Sequence, residues 1–302
     1  MARLPTRPIA LWLVLAWLCS PVFADPAAFT PPQPVTLDGY EGHAMEPFVS
    51  RDGRWLFFNS RNQPQDQTDL HLAQRVSVDR FRYLGRLDGA NSQALDGVPS
   101  LDREGRFYFV STRAYDETRN TLFQGRFEDG TLTEVTQVAG DAPRRKALWL
   151  NIDQEISADG QTLYFAENRW RLLRGGIASS NLAVAYRDAT GAFLRARNRE
   201  DPFALINTDA LEFAPATTED ELTLYFTRAD PRALRRGESD GFGIFVATRP
   251  DKSAPFAAPQ RIDALTGYVE APSVAPDGCT IYIHKRVEMQ FRLFVTRRVD
   301  CP

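Results

Sequence analysis

Residues 46–58 read Glu46-Pro47-Phe48-Val49-Ser50-Arg51-Asp52-Gly53-Arg54-Trp55-Leu56-Phe57-Phe58, and they decide the fold because the pattern returns. Glu104-Gly105 precedes Tyr108-Phe109-Val110, Asp159-Gly160 precedes Leu163-Tyr164-Phe165, and Asp277-Gly278 precedes Ile281-Tyr282-Ile283. Asp220-Glu221 precedes Leu224-Tyr225-Phe226, with Glu221 in place of the glycine. The triplet begins three residues after the second turn residue in every copy, and successive copies lie 52 to 61 residues apart. An acid followed by glycine suits a tight reversal, because glycine tolerates positive φ. A β-branched and aromatic triplet suits a buried strand. Such a long even period marks a repeat architecture.

Working outward, each unit reads as four strands. An inner strand runs into the turn and the triplet forms the second. An arginine closes it: Arg61, Arg113, Arg169, Arg228 and Arg286. A third strand and a more polar fourth follow. The fifth unit stops after its third strand, and Gln33-Pro34-Val35-Thr36-Leu37 stands alone ahead of the first. The chain is therefore expected to be all-β: a single five-bladed β-propeller whose ring is closed by the N-terminal strand. Closure hides sheet edges that would otherwise template aggregation. The alternatives are a six-bladed TolB-like propeller and an open β-solenoid, the latter disfavoured by the long period.

The pattern of acid, Pro, two residues, Ser, one residue and Asp-Gly, then Leu/Ile-Tyr-Phe and Ser/Thr-Arg, resembles the WD40-like repeat of the periplasmic TolB propeller domain. Glu46 to Gly53 and Glu270 to Gly278 are the best copies. The resemblance covers nearly all of residues 25–302. It implies a propeller of the bacterial envelope, a group that includes scaffold proteins, peptidase-associated propellers and some polysaccharide lyases. TolB carries a further N-terminal domain that has no counterpart here, so a role in the Tol system is not carried over.

The chain has 302 residues and a formal net charge of −3, and Arg3 and Arg7 fall in a segment read as a leader. The remainder is thus more acidic still, which argues against a nucleic-acid partner. Residues 1–24 combine those arginines, an apolar run from Ile9 to Leu18 and Val22-Phe23-Ala24, the pattern of a secretory signal. Residues 25–302 are then the propeller domain, periplasmic or secreted, without a transmembrane segment, and expected as a monomer. In an oxidising compartment Cys279 and Cys301 are candidates for a disulfide.

Each unit also carries an acid seven to nine residues before its second turn residue: Glu46, Asp96, Asp153, Glu212 and Glu270. The first strands of a propeller line its channel, so the five are expected to ring one mouth. Two functions follow. One is an exported, non-catalytic propeller that binds an envelope protein or an anionic glycan. Its contacts would be Trp170, Arg171 and Arg174 in one long loop, Arg235 and Arg236 in another, and His43 beside Glu46. The alternative is a carbohydrate-active enzyme, a glycoside hydrolase or lyase, using Glu46, Asp153 and Glu212. No cofactor is implied, apart from a channel-bound cation such as calcium. Of His43, His71 and His284, His43 is the preferred ligand or base.

Overall fold

A computed structural model describes residues 28–62, 67–171, 176–197, 201–236 and 238–301. The expected signal, residues 1–24, lies outside them, as does Arg174. The described residues are almost entirely strands and turns. Among them no helix is long and apolar enough to cross a membrane.

The first unit joins Met45–Val49, Trp55–Asn59, Leu70–Arg75 and Arg80–Arg86 in successive antiparallel pairs. The second joins Asp96–Leu101, Arg106–Ser111, Leu122–Glu128 and Thr131–Gln137. The third joins Trp149–Ile156, Thr162–Trp170, Ile177–Arg187 and Phe193–Arg195. The fourth joins Leu211–Thr217, Thr223–Ala229, Phe242–Thr248 and Gln260–Arg261. In the fifth, Val269–Val274, Thr280–Val287 and Gln290–Arg297 are completed by Gln33–Pro34, which pairs with Val295 and Phe294. The lone N-terminal segment is in fact shared. Beyond Pro34, Thr36–Asp38 runs parallel to Arg80–Arg82 of the first unit. Pro34 has no N–H to donate and is tolerated because it sits on an edge.

The triplets explain the core. Alternate residues of a strand face opposite sides of its sheet, so a continuous apolar triplet must be covered on both. Phe57 packs with Phe107 and Phe109 between the first and second units, while Leu56 and Phe58 pack with Tyr282 between the fifth and first. Tyr108 joins Leu163 and Phe165, Tyr164 joins Leu224 and Phe226, and Tyr225 joins Ile281 and Ile283. Each such buried side chain contributes about 1.5–3 kcal/mol. The inner strands touch in sequence order, and Val269–Val274 touches Met45–Val49.

Every inner strand carries a bulge that shifts its register. The bulged residue has positive φ in all five: Glu46 (49°), Val98 (55°), Asp153 (53°), Ala214 (49°) and Ala271 (53°). The kink exposes that residue's N–H, and a buried donor needs an acceptor. The preceding unit supplies it in four of the five. Asn59 Oδ1 accepts from Val98 at 2.9 Å, Asp153 Oδ2 from Ala214 at 3.3 Å, and Thr227 Oγ1 from Ala271 at 3.0 Å. His284 Nδ1 accepts from Glu46 at 3.2 Å. At the departing turn, Glu221 itself has φ 58°, held by the Tyr164 hydroxyl at 2.7 Å and Lys252 at 2.5 Å.

Two expected loops differ from their reading. Much of 169–180 is strand, a hairpin extension of the third unit. In the fourth unit, 230–241 holds the helix Pro231–Arg236. Ile177 and Leu234 pack on one cluster, so the two segments are neighbours. A disulfide joins Cys279 and Cys301, whose Cα atoms are 6.0 Å apart.

Candidate active site

The five acids do not form one equivalent ring. Those nine residues before the second turn residue, Asp96 and Glu212, are buried and paired with arginine. Arg113 meets Asp96 at 2.6 Å and Arg228 meets Glu212 at 2.9 Å. Each also binds a neighbouring hydroxyl, Ser92 and Thr208 respectively. Glu212 is thereby separated in role from the other two acids named with it, since its charge is already compensated inside its own unit.

Glu46 and Asp153, seven residues before the turn, occupy bulge positions and line a narrow axial cavity of about 20 Å³. Gln154 lines it too, where the corresponding residues of the other units are Pro47, Pro99, Pro215 and Pro272. The Gln154 side chain is buried and both its polar atoms lack a protein partner. Glu270, eight residues before the turn, meets His284 Nε2 at 3.1 Å across the strand pair. One ligand atom each from Glu46, Glu270 and His284 lie within 4.8 Å of one another.

The electrostatics follow from burial. Desolvation pushes Glu46 up to about 8; Asp153 and Glu270 add to the rise, and His284 and Asn62 oppose it. Desolvation, with the Glu270 charge, pushes Asp153 up to about 7, against the Ala214 N–H. Tyr268 is held protonated by burial and then by Glu270. Burial disfavours charge on His284, but the hydrogen bond to Glu270 and the Glu46 and Glu270 charges outweigh it and raise the ring above the ordinary imidazole value. The geometry nonetheless argues for a neutral ring. A second proton would have to sit on Nδ1, where the Glu46 N–H already points. The hydrogen-bond network therefore assigns the Nε2–H tautomer, donating to Glu270. That assignment takes the His284 nitrogen out of any metal-ligand set. A hard cation on the axis would instead use carboxylate and amide oxygens from Glu46, Asp153 and Gln154.

Beside the cluster lies a pocket of about 280 Å³ lined by Arg61, Asn62, Tyr268, Glu270, Arg286 and Phe291, among others. Asn62 Nδ2 donates to Glu46 Oε1 at 3.2 Å, linking pocket and cluster. Met289, 81% exposed, stands at its rim.

The remaining candidates are spread elsewhere. His43 is outside the cluster, its Nδ1 accepting from Phe291 N–H at 3.2 Å. His284 takes the place expected for His43, and its position was hidden because its bonding partner Glu46 is in the first unit. His71 is stacked on Phe58 and pushed down to about 4 by burial. Trp170, Arg171 and Arg235 are exposed, whereas Arg236 forks onto Glu238 at 2.5 and 2.8 Å.

No family model matches the chain, and no curated protein is similar to it. Solved structures are. A structure described as a glycoside hydrolase aligns with TM-score 0.57 and 10% identity over 89% of this chain and 91% of that one. The endo-arabinase of Bacteroides thetaiotaomicron VPI-5482 aligns with TM-score 0.52 and 15% identity over 87% and 96%. The catalytic domain of a Coprinopsis cinerea GH62 α-L-arabinofuranosidase aligns with TM-score 0.53 and 9% identity over 92% and 100%. At such identities the likeness is one of fold, and it makes this chain an all-β propeller. TolB from Acinetobacter baumannii reaches TM-score 0.45 with 14% identity over 78% and 46%, too low to support a TolB-specific likeness.

Proposed function

We propose that the chain is a carbohydrate-active enzyme that cleaves a glycosidic bond at one mouth of a five-bladed propeller. The carrying observation is the cluster of Glu46, Asp153 and Glu270. None of the three forms an arginine ion pair among the described residues; Glu270 lines the 280 Å³ pocket, Asn62 of that pocket bonds Glu46, and Asp153 lies close enough to raise Glu46. Structural acids recur with the repeat and are neutralised within it, as Asp96 and Glu212 are.

Glu46, protonated up to about pH 8, is the general acid toward the leaving oxygen. Glu270, which accepts from His284, is the nucleophile at the anomeric carbon. Asp153 lends negative charge that keeps the proton on Glu46. A carboxyl separation of about 5–5.5 Å favours retention and about 6.5–9.5 Å inversion. The close approach of Glu46 and Glu270, with one oxygen of each within 4.8 Å of the other, is why the retaining course is the one proposed. Glu46 then becomes the base that activates water against the glycosyl-enzyme. The repeat is read as TolB-type, the enzyme as an exported monomer cleaved after residue 24, and Cys279–Cys301 as suited to an oxidising compartment.

The test is turnover of an aryl-glycoside and polysaccharide panel by wild type, Glu46→Gln and Glu270→Gln. Each variant should lose about 10²–10⁴-fold in rate. Wild-type rate should fall as pH rises past about 8, where Glu46 loses its proton. Cleavage of nothing in the panel, or full activity in both variants, would overturn the reading. The non-catalytic binding of an envelope protein or anionic glycan through Trp170, Arg171, Arg174, Arg235 and Arg236 ranks second, because Arg236 is committed to Glu238.

A further inference from the structure

We infer that the pocket beside Glu270 takes a sugar bearing a carboxylate, a uronic acid type, held by Arg286. The inference rests on the reading of this pocket as a glycan site. It starts from two i, i+2 pairs, one on the strand Thr280–Val287 and one at the start of Val269–Val274, with Tyr268 a residue ahead of that strand. Residues two apart on a strand share a face. Tyr268 and Glu270 are one such pair and His284 and Arg286 the other. Glu270 lies opposite His284 in register, and Arg286 N–H donates to the Tyr268 carbonyl at 3.1 Å. The four side chains thus form two neighbouring rungs. The inner rung holds the acid and its histidine. The outer rung holds an aromatic ring and a guanidinium.

The Arg286 guanidinium carbon lies over the Tyr268 ring, 4.8 Å from its centroid. A guanidinium so placed can still offer N–H edges to a planar anion in a two-pronged bond. Its side chain makes no hydrogen bond or ion pair with any described residue, although it lines the pocket. Arg113 and Arg228, which close the second and fourth units as Arg286 closes the fifth, are by contrast committed to Asp96 and Glu212. An anion beside Glu270 needs the compensation that the Arg286 charge supplies. Phe291 and the exposed Met289 offer an apolar flank suited to the carbon face of a sugar ring.

The test measures binding by calorimetry in the Glu46→Gln protein, so that turnover does not interfere. The probes are methyl glycosides of glucuronic and galacturonic acid, each with its carboxyl-reduced twin, and inorganic phosphate. At least one uronate should bind about 10- to 100-fold more tightly than its twin, the range of a charge-assisted bond. Arg286→Ala should remove that advantage, and Arg286→Lys should restore only part of it. Arg286 is exposed, so both variants should keep the wild-type melting temperature. No preference for either uronate, an unchanged preference in Arg286→Ala, or equally tight phosphate would overturn the inference. Cleavage restricted to neutral glycans would sink it while leaving the proposed enzyme intact. Arg286-dependent uronate binding in a chain that cleaves nothing would support it while sinking the enzyme.

Discussion

Arg51 offers the sharpest test of how the units are held together. It sits in the first unit's turn, and its guanidinium reaches Glu155 on the inner strand of the third at 2.7 Å. The same nitrogen donates to the Ile156 carbonyl at 2.7 Å, and Ser100 of the second unit donates to Glu155 at 3.2 Å. Both charged side chains are nearly dry, 5% and 7% exposed. Removing one partner of a buried pair strands the other charge, at a cost of about 3–5 kcal/mol. At roughly 2–4 °C per kcal/mol, Arg51→Ala should melt about 6–20 °C lower at pH 8. Burial already raises Glu155 above its ordinary value, with Arg51 as the main opposing influence. Without Arg51 it rises further. A raised folded value means the cost grows as pH climbs and shrinks where Glu155 can keep a proton. The loss should therefore be smaller at pH 5 than at pH 8. Arg51→Met with Glu155→Leu should regain most of it. Melting curves and urea titrations at both pH values decide the matter. A loss below about 1 kcal/mol at pH 8, as for a surface pair, would refute the argument.

Two further outcomes follow from the same structure. Glu46 and Asp153 are raised to about 8 and about 7, above ordinary carboxylate values, so the folded state holds their protons more tightly. Their stabilisation is present at low pH and is lost as pH rises through 7 to 8; calorimetry from pH 6 to 9 should show a falling melting temperature, flattened in Asp153→Asn. Cys279 and Cys301 close a loop with a sequence separation of 22, so Cys279→Ser should cost about 3 kcal/mol in denaturant unfolding. A change under about 1 kcal/mol would show that strand pairing alone fastens the ends.

The spacing of the acids held more information than the repeat reading extracted from it. Seven residues before the turn means the bulge and the axis, as for Glu46 and Asp153. Nine means a buried arginine pair, as for Asp96 and Glu212. Eight means the rung opposite His284. The three offsets are three different environments, which one averaged repeat pattern does not separate. The strand triplets were legible because their chemistry is local: a run covered on both faces must be apolar throughout. In the second unit the register is one residue shorter, so Tyr108, the triplet's first residue, matches the central Phe57, Tyr164, Tyr225 and Tyr282. His284 was not legible, because the bond that fixes its tautomer comes from a residue 238 positions earlier. His43 is near Glu46 in sequence, but His284 is the histidine that meets it in space.

The pairing of Gln33–Pro34 with Val295 and Phe294 has a consequence for the order of folding. Four units can complete their sheets from contiguous chain and stack as synthesis proceeds. The fifth has three strands of its own and must retrieve the fourth from the opposite end of the sequence. Such a long-range contact is slow to form, because loop-closure entropy precedes its reward. Until it forms, the molecule is an arc with two open edges, with Tyr282 still uncovered on one side and Leu56 and Phe58 on the other. The Glu46 N–H to His284 bond spans that same gap. The proposed acid and its neighbouring histidine therefore meet only when the arc shuts, and an arc that stays open is at once aggregation-prone and without a site.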